Sequence, residues 1–556
     1  MEDLGTLTTS SIRYVLTQSL SDALASAGVF PLPALIHLER PGRPEHGEWS
    51  SNVALALASV TGRPPRELAQ AIAEHIDADP PAQVAGVEVA GPGFVNFRLH
   101  DTWLHDVLAE VVEQGVDDYA RHQVGTGDKV QLEFVSANPT GPLHVGNGWL
   151  CSYGDALARL LERCGWSVHR EYYVNDTGGQ VRRLGLSLLA HAMGEEVPDE
   201  GYQGAYVAEL AVGYGGPIPA PGFPPADADV MAAGRWAAER ILAGIAETLA
   251  TLGIRFDEWY SQASIEESGA VQDTLDALTE RGLIYQSEGA TWLRTTDLGD
   301  TRDRVLVKSD GSLTYLAGDL AYHRDKLLIR HFDRVIDVFG ADHHGQVASL
   351  LAGVEALGVD RSRLEVKLGQ MVSLTGGQVM SKRSGQFVSL DSLVADIGPD
   401  ATRLLSLIAS IDQATTLDLD LVRKQSAENP VFYVQYAHAR IASIDRVRAE
   451  RGIERLPLEQ VDLTLLTHQR ELDLLRSLAA LPDVVLEACA ERAPHKVTAW
   501  VRDLARRFHG FHHDCWVMGE GVPPELTQAR LWLVEGARIG LAVGLGLLGV
   551  GAPESM

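Results

Sequence analysis

Cysteine is scarce in this chain of 556 residues. The four cysteines, Cys151, Cys164, Cys489 and Cys515, are spread along the sequence and none belongs to a C-x-x-C pair. So few cysteines exclude a disulfide scaffold, and their spacing gives no sign of a thiolate zinc site. They suit a reducing compartment, which favours a cytoplasmic location.

Targeting and membrane signals are also missing. Met1 to Leu20 has no basic stretch followed by an apolar core, so no secretory signal is visible. The most apolar run, Ile539 to Ala552, is too short and too rich in glycine for a membrane span. It predicts a buried terminal helix, and we expect no membrane partner.

Positive charge is in short supply. The chain has 47 Lys and Arg against 75 Asp and Glu, a formal net charge of -28. Taken alone this argues against nucleic-acid binding, because affinity for phosphate comes from lysine and arginine. The argument is not decisive, since binding requires only a local basic patch.

The length predicts three or four domains at about 150 residues each. Residues 1–115 have the mixed pattern of a small α/β unit, and residues 116–395 alternate strands and helices, as in a parallel sheet. An insertion interrupts this pattern at about 190–298. Residues 396–429 form a connecting segment, and residues 430–556 have helical spacing throughout, which predicts an all-α bundle.

Within the α/β region, Val130–Val135 and Val168–Val174 are predicted strands on either side of a helix from about Gly146 to Cys164. Sheet character returns after the insertion, at Val305–Lys308 and again at Arg334–Gly340.

The strongest local signal is the segment from Ser136 to Asn147, SANPTGPLHVGN, which follows a strand and opens a helix. Glycines allow close backbone approach, and a helix N-terminus offers free N–H groups to phosphate. His144 and Asn147 lie three apart and can face one ligand. The alternative is an ordinary βα turn with a capping asparagine.

His144-Val145-Gly146-Asn147 resembles the HIGH motif of class I aminoacyl-tRNA synthetases, with asparagine in place of the last histidine. The segment from Val379 to Gly385, VMSKRSG, resembles their KMSKS motif. Val379 replaces the first lysine, and a distant lysine such as Lys308 is one conceivable substitute. Lys382 matches the second lysine.

The resemblance implies an ATP substrate with Mg²⁺, a Rossmann-type parallel-sheet catalytic domain, and cations that stabilise the leaving pyrophosphate. It assigns catalysis to His144, Asn147 and Lys382. It assigns ATP binding to a larger set: Gly141, Pro142, His144, Gly146, Asn147, Met380 and Lys382.

Wider segments resemble one family within this class, the arginyl-tRNA synthetases. They are EFVSANPTG from Glu133, EYYVND from Glu171, TYLAGDLAYH from Thr314, NPVFYVQYAHAR from Asn429 and LGVGAPE from Leu548. The resemblance covers nearly the whole chain. It implies a tRNA D-loop-recognition domain at the N-terminus, an anticodon-binding helical bundle at the C-terminus, and tRNA(Arg), L-arginine and ATP as partners.

The residue types also suit arginine. A guanidinium presents a fork of donors, so its pocket should offer carboxylates and hydroxyls. Tyr315 and Asp319 are four apart on a predicted helix and share a face. By resemblance the arginine site comprises Glu133, Asn138, His144, Tyr315, Asp319 and His343. The alternative for Glu133 and Asp319 is structural ion pairing with an arginine of the protein.

Two histidine-rich patches invite a metal interpretation, His343-His344 and the group His509, His512, His513 and Cys515. Adjacent histidines point in different directions and no third ligand is obvious, so we predict no metal site. For tRNA, the resemblance points to Phe94 and Asn96 at the N-terminus and to Tyr433, Gln435 and Tyr436 in the bundle. Alternation places Phe94 and Asn96 on one strand face, where an aromatic can stack a base.

The sequence therefore predicts an arginine–tRNA ligase that forms arginyl-adenylate and transfers arginine to the 3′-terminal adenosine of tRNA(Arg), acting as a monomer. Two alternatives stay open. One is a class I synthetase for another amino acid, and the other is a catalytically silent paralogue that only binds tRNA.

Overall fold

The structure is a computed structural model that describes residues 12–33, 36–41, 43–220, 222–370, 372–374, 388–417, 424 and 428–556. Two predicted ATP-site residues, Met380 and Lys382, lie outside the described residues, as does Val379.

The N-terminal unit packs helices against an antiparallel sheet whose strand order is β1-β2-β4-β3. Its elements are α1 (Ile12–Ser26), β1 (Leu38–Glu39), β2 (Trp49–Ser51), α2 (Val53–Thr61), α3 (Pro65–Ala78), β3 (Val84–Ala90) and β4 (Phe94–Leu99). Gly93, in the turn between β3 and β4, has φ 147°, and a Cβ there would lie 2.9 Å from the carbonyl carbon of Pro65. The turn therefore requires glycine where it meets α3. The predicted mixed α/β unit is confirmed.

The middle of the chain carries the alternating elements. In chain order they are α4 (Thr102–Asp118), β5 (Lys129–Phe134), α5 (Val145–Arg163), β6 (Ser167–Val174), α6 (Gly178–Met193), α7 (Ala205–Val212), α8 (Asp227–Thr251), β7 (Glu258–Ser261), α9 (Gln262–Glu267), α10 (Ala270–Glu280), β8 (Ile284–Ser287), β9 (Ala290–Leu293), β10 (Arg304–Val307), α11 (Tyr315–Arg324), β11 (Arg334–Gly340), α12 (Val347–Ala356), β12 (Leu364–Gly369), β13 (Val372–Leu374), α13 (Leu390–Ile397), α14 (Pro399–Ser406) and β14 (Thr415–Leu417).

A five-stranded sheet with the order β12-β11-β5-β6-β7 is parallel throughout. Parallel neighbours need crossovers, and α5 and α12 supply them between β5 and β6 and between β11 and β12. The chain leaves β5 toward β6 on one side, and β11 lies on the other. The carboxyl ends of β5 and β11 therefore border the crevice in which ligands bind in open parallel sheets.

The structure corrects two details of the sheet prediction. β7 falls inside the expected insertion, yet it pairs in parallel with β6. β10 is the strand expected near Val305, but it belongs to a separate antiparallel sheet with the order β10-β9-β8. The reason is local: Glu288 and Gly289, both at positive φ, form a tight turn between β8 and β9. A turn that short joins antiparallel strands only.

The C-terminal region is the predicted helical bundle. Its helices are α15 (Pro430–Glu450), α16 (Gln469–Ala490), α17 (His495–Asp514) and α18 (Pro524–Leu548). The Asn429 side chain accepts hydrogen bonds from the first N–H groups of α15, and Pro430 opens that helix. By length and composition α18 could cross a membrane, but 72% of its apolar window is buried in the protein. The prediction of a buried terminal helix is confirmed.

The bundle is hydrogen-bonded to the segment that links α4 to β5, at the position of a proline in α16. Pro482 lies inside α16 and has no N–H to donate to the carbonyl of Leu478, one turn earlier. The Tyr119 hydroxyl donates to that carbonyl instead. His122 Nε2 lies 2.8 Å from the carbonyl oxygen of Pro482. The linker thus completes the backbone bonding of α16.

Tyr119→Phe is expected to lower the melting temperature by a few degrees. The substitution leaves the buried Leu478 carbonyl without a donor, which costs about 1–3 kcal/mol. Thermal unfolding followed by circular dichroism measures the shift. Tyr285→Phe removes a hydroxyl that bonds Asp303 near the surface and should change little. Equal shifts in the two variants would contradict this role for Tyr119.

Candidate active site at the carboxyl ends of the central strands

The turn after β5 is strained. Val135 and Ser136 have φ values of 71° and 36°, both in the left-handed region that side chains with a Cβ disfavour. Such residues cost about 1–3 kcal/mol each and persist only where the surroundings fix them. Here the Ser136 hydroxyl accepts the Tyr173 N–H at 3.0 Å and donates to a Glu133 oxygen at 2.8 Å.

His144 and Asn147 form a reciprocal cap at the start of α5. His144 Nδ1 accepts the Asn147 N–H at 3.3 Å, and Asn147 Oδ1 accepts the His144 N–H at 3.1 Å. Nδ1 is an acceptor here, so a neutral His144 ring carries its proton on Nε2. The capping asparagine anticipated as an alternative is therefore present. Only the amide nitrogen of Asn147 is left to serve as a donor to ATP.

The residues that follow the KMSKS-like segment in the sequence are hydrogen-bonded to the HIGH-like segment and its flanking residue. The Val145 N–H donates to the Val388 carbonyl at 3.2 Å, and the Leu390 N–H donates to the Leu143 carbonyl at 2.8 Å. A Cβ on Gly148 would lie 2.7 Å from Leu390. Val388, six positions after Lys382 in the sequence, is thus hydrogen-bonded to the first residue of α5.

The predicted ATP-site glycines have a steric basis. A Cβ on Gly141 would lie 2.9 Å from the hydroxyl of Tyr206, which donates to the Thr140 carbonyl at 2.6 Å. A Cβ on Gly146 would lie 3.0 Å from the His144 ring. Pro142 lies half-buried between them. Glycine at both positions therefore keeps the turn compact, which allows phosphate to approach its backbone closely.

Asp319 and Tyr315 lie on α11 as predicted, one turn apart. Among the residues that the structure describes, no side chain donates a hydrogen bond to the Asp319 carboxylate. Burial and the nearby negative charges of Glu133 and Asp337 raise the pKa of Asp319 to about 6. Tyr315 is 76% exposed at the first position of the helix. A carboxylate that lacks a hydrogen-bond donor, one helical turn from an exposed phenol, suits the fork of N–H donors that a guanidinium offers.

Glu133 occupies a different position from Asp319. It is buried, one oxygen accepts from Lys326 Nζ at 2.7 Å, and the other accepts from Ser136. Lys326 is fully buried and also donates to Asp337 at 2.9 Å. The alternative of internal ion pairing thus describes Glu133, with lysine rather than arginine as the partner. Glu133 can therefore act on bound arginine only through its charge, because both of its oxygens already accept hydrogen bonds within the protein.

Asn138 and His343 border the same crevice. Asn138 is half-buried in the turn after β5, and its carbonyl accepts the Thr140 N–H at 2.7 Å. His343 lies in the short turn after β11, where its ring centroid is 5.2 Å from that of Phe339. The charge of His343 lowers the pKa of Asp319, which opposes the larger effect of burial. The turns after β5 and β11 therefore lie at the same edge of the parallel sheet, and His343 is close enough to Asp319 to affect its pKa.

Lys326, His323 and Asp337 were missed from the sequence. His323 Nε2 lies 2.8 Å from an Asp337 oxygen, and His323 Nδ1 lies 2.7 Å from the Asp319 carbonyl oxygen. The helical spacing of His323 from Asp319 was a usable signal. Lys326 donates to Glu133, which lies 193 positions earlier in the sequence, and no local sequence pattern predicts a contact over that separation.

The two predicted N-terminal tRNA contacts differ in access. Phe94 is half-buried at the start of β4. Asn96 is 4% exposed, and its side-chain oxygen accepts a hydrogen bond from the Ser50 hydroxyl at 2.7 Å. Ser50 of β2 is the cross-strand partner of Asn96, so the two side chains lie on the same face of the sheet. The Asn96 side-chain oxygen is therefore already bonded within the protein, Phe94 is the more accessible of the pair, and a tRNA contact at either residue stays a prediction.

In the bundle, Tyr436 faces a cavity of about 520 Å³. The cavity lies between α15, the end of α17 and the chain terminus, and its lining includes Arg440, Arg446, Arg451, Trp516 and Met556. The Arg440 guanidinium lies 4.5 Å from the centroid of the Tyr436 ring, and Trp516 is 66% exposed. Cationic and aromatic groups thus converge in a chain that is strongly acidic overall.

Tyr433 and Gln435 have internal partners. The Tyr433 ring packs on His509 at 4.6 Å between centroids, and its carbonyl oxygen lies 3.1 Å from His509 Nε2. Gln435 Nε2 donates to Asp400 and to the Gly551 carbonyl. Because α15 presents these two residues toward neighbouring elements, Tyr436 is the member of the predicted trio that lines the cavity.

One cluster in the described part of the chain has the residue types of a metal site. His169, Glu171 and Glu258 offer ligand atoms within 4.8 Å of one another. Arg330 Nη1 lies 2.5 Å from Glu171 and 3.1 Å from Glu258, so it already pairs with both carboxylates. The cluster is an internal ion-pair network.

Comparison with known proteins agrees with this geometry. Family models match residues 14–99 as "Arginyl tRNA synthetase N terminal domain", residues 108–214 and 244–442 as "tRNA synthetases class I (R), catalytic domain", and residues 434–556 as "DALR anticodon binding domain".

Two curated relatives named arginine–tRNA ligase align along nearly their whole length. The protein from Moorella thermoacetica is 44% identical over 97% of this chain and 98% of its own. The protein from Frankia alni is 45% identical over 94% of this chain and 95% of its own. The solved arginyl-tRNA synthetase of Thermus thermophilus shares the fold, with a TM-score of 0.79 at 24% identity over 98% of this chain and all of that one. The chain therefore belongs to the arginyl-tRNA synthetase family of class I, and its function is arginine–tRNA ligation.

Proposed function

We propose that arginine binds with its guanidinium on Asp319 and Tyr315 and its backbone groups near Asn138 and His144. The observation that carries this assignment is the Asp319 carboxylate, which has no donor among the described side chains. Glu133 and Asp337, its acidic neighbours, are both paired with Lys326. The guanidinium of arginine supplies the missing donors, because its planar fork can give two parallel bonds to one carboxylate.

ATP lies along the turn from Gly141 to Asn147, with its phosphates near the first N–H groups of α5. An oxygen of the arginine carboxylate attacks the α-phosphorus, a P–O bond forms, and pyrophosphate leaves. His144 donates from Nε2 to a phosphate oxygen, and Lys382, with Met380 beside it, stabilises the charge on the pyrophosphate. Little covalent work falls to the protein, so positioning and charge stabilisation dominate.

In the second step the 2′-hydroxyl of the terminal adenosine of tRNA(Arg) attacks the arginyl carbonyl carbon. An ester bond forms and AMP leaves with the electron pair of the anhydride. Class I membership supports attack by the 2′-hydroxyl, and we expect arginine activation to depend on bound tRNA.

Mg²⁺ is proposed to arrive with ATP. The one candidate cluster in the described residues, around Glu171, already binds the Arg330 guanidinium with both of its carboxylates and does not fit a divalent cation. We therefore assign Mg²⁺ no protein ligand and derive no step through it. The cytoplasmic location is supported by four cysteines that are all free in the structure. The monomeric state remains a prediction.

ATP–pyrophosphate exchange, run with each of the twenty amino acids in the presence and absence of tRNA(Arg), tests the assignment. Exchange with arginine alone among the amino acids supports it. Exchange with another amino acid would assign the pocket to a different substrate. The absence of exchange with every mixture, together with tight tRNA binding, would indicate the silent paralogue.

The KM for arginine is expected to rise about tenfold per pH unit below pH 6. Arginine needs the ionised form of Asp319, and the pKa of that carboxyl in the free enzyme is raised to about 6. Binding is therefore intact above pH 7 and lost as the pH falls through 6. Exchange kinetics from pH 8 to pH 5, with circular dichroism to exclude unfolding, measure the profile. A KM that stays flat down to pH 5 would contradict the role of Asp319.

The cavity beside Tyr436 is proposed to hold an unstacked anticodon base. It lies within the segment matched as an anticodon-binding domain, and its arginines offer phosphate contacts that the acidic chain provides in few places. Tyr436 and Trp516 provide aromatic faces, and stacking on such faces is worth about 1–3 kcal/mol per base.

Trp516→Ala should raise the KM for tRNA(Arg) about tenfold and leave the KM for arginine unchanged, because it removes a stacking surface far from the acidic pocket. Aminoacylation kinetics with varied tRNA measure both constants. Phe223→Ala removes an equally exposed aromatic, 69% accessible, from the region between α7 and α8. An equal rise in both variants would contradict a specific pocket at Trp516.

A further inference from the structure

Lys326 is the most deeply enclosed cation at the site. It follows α11 in a short π-helical turn, Asp325–Ile329, and its side chain is fully buried. Its ammonium donates to Glu133 at 2.7 Å and to Asp337 at 2.9 Å, and lies 4.1 Å from the centroid of the Tyr322 ring. Burying a charge costs several kcal/mol unless excellent partners repay it. Two carboxylates and an aromatic face are such partners.

One arm of this network leads to the strained turn. Glu133 accepts from Lys326 on one oxygen and from the Ser136 hydroxyl on the other. The Ser136 hydroxyl donates to Glu133 and accepts the Tyr173 N–H. These bonds hold the left-handed conformations of Val135 and Ser136, which lie three and two residues before Asn138.

The other arm leads to α11. Asp337 accepts from Lys326 on one oxygen, and its second oxygen meets His323 Nε2 at 2.8 Å. His323 Nδ1 faces the carbonyl of Asp319, which can only accept, so this nitrogen donates. Lys326 and His323 lower the pKa of Asp337 to about 2, against the effect of burial, so this carboxylate lies between the two basic side chains.

The two arms of the network meet at Lys326. Lys326 pairs with both Glu133 and Asp337, and His323 pairs with Asp337. Among the described side chains, none donates a hydrogen bond to the Asp319 carboxylate beside them. A continuous series of hydrogen bonds runs from Ser136 through Lys326 to the backbone of Asp319.

We propose that Lys326 is a positioning residue for arginine activation, which holds the helix carrying Asp319 and the strained turn carrying Asn138 in one fixed relation. Lys326 presents no surface to a substrate, because it is fully buried. Its effect reaches the reaction through Glu133 and Ser136 on one side and through Asp337 and His323 on the other. The inference rests on the placement of arginine at Asp319 proposed above.

The test is a double-mutant cycle between the two ends of the network. Ser136→Ala and His323→Gln break different hydrogen bonds and share no direct contact. Each is expected to lower kcat for arginine-dependent ATP–pyrophosphate exchange, with tRNA(Arg) present, by about tenfold. The double variant should lose about tenfold as well, because either change already uncouples the turn from α11. Losses that multiply to about a hundredfold would overturn the proposal, as would single variants with unchanged kcat.

Lys326→Met tests the centre of the network, with Lys367→Met as the matched control. Lys367 lies on β12 of the same sheet with one acidic partner, Glu365, at 3.2 Å and 29% side-chain exposure. Lys326→Met should lower kcat about a hundredfold at saturating arginine and ATP, and Lys367→Met should not. A purely structural role would lower the melting temperature and leave kcat unchanged below it, which would overturn the proposal.

If Lys326→Met does not fold, the cycle between Ser136 and His323 decides the question alone. The proposed arginine pocket fails separately, through an unchanged KM for arginine in Asp319→Asn. If Asp319→Asn behaves as expected and the Ser136 and His323 losses multiply, only the inference about Lys326 falls.

Discussion

Asp319→Asn is expected to raise the KM for arginine by about 10²–10³-fold. The substitution keeps the size of the side chain but removes the negative charge that α11 presents to the guanidinium. Truncating one partner of a desolvated charge pair costs about 2–5 kcal/mol. Because Glu133 and Asp337 are already paired with Lys326, neither can replace the lost charge. Exchange kinetics with varied arginine measure the effect.

Asp310→Asn is the matched control for this variant. Asp310 lies in the exposed turn before α11, and its Oδ1 accepts the Ser312 N–H, a bond that an asparagine oxygen preserves. The KM for arginine should therefore stay within about twofold of the parent value, in keeping with the small effects of surface substitutions. Wild-type KM in Asp319→Asn would remove arginine from this position.

Arg403→Met is expected to destabilise the fold by about 3–5 kcal/mol, the usual cost of breaking a buried ion pair. Arg403 is 1% exposed and forms a salt bridge with Asp155 of α5 at 2.5 Å. It also donates to the carbonyls of Leu548 and Leu252 at 3.0 and 2.9 Å. Methionine leaves these acceptors without their donor. The urea midpoint of unfolding, followed by circular dichroism, should fall accordingly.

Arg159→Met removes another arginine that pairs with Asp155 and is the matched control. Arg159 Nε lies 2.8 Å from the same carboxylate, but its side chain is 35% exposed. Water screens such a pair, so the expected loss is below about 1 kcal/mol. Equal midpoints for the two variants would show that burial of Arg403 adds nothing to its ion pair.

The sequence predicted those parts of the site that depend on neighbours along the chain. The turn from Ser136 to Asn147 follows a strand and opens α5, because proline, glycine and an N-terminal cap are local signals. The spacing of Tyr315 and Asp319 placed both on one helical face, and α11 confirms it. α15 begins at Pro430, directly after the capping asparagine Asn429, where the sequence placed the start of the helical region.

Contacts between distant segments could not be predicted. Glu133 has the residue type of an arginine ligand, and only the fold reveals that Lys326 occupies it. Asn96 has the residue type of a base reader, and only sheet order reveals that Ser50 covers its oxygen. β10 has the composition of a central strand, but the tight turn at Gly289 commits its sheet to antiparallel pairing. Each of these depends on which elements meet, which local periodicity does not encode.

The proline in α16 bears on whether the C-terminal bundle can be treated as an exchangeable module. Leu478 obtains its donor from Tyr119, and Leu548 obtains one from Arg403, and both donors precede the bundle in the chain. A fragment cut near residue 430 would therefore keep two carbonyls whose donors stay behind. Chimeras that graft this bundle onto a relative should fold well only when the recipient supplies a tyrosine and an arginine at the equivalent places.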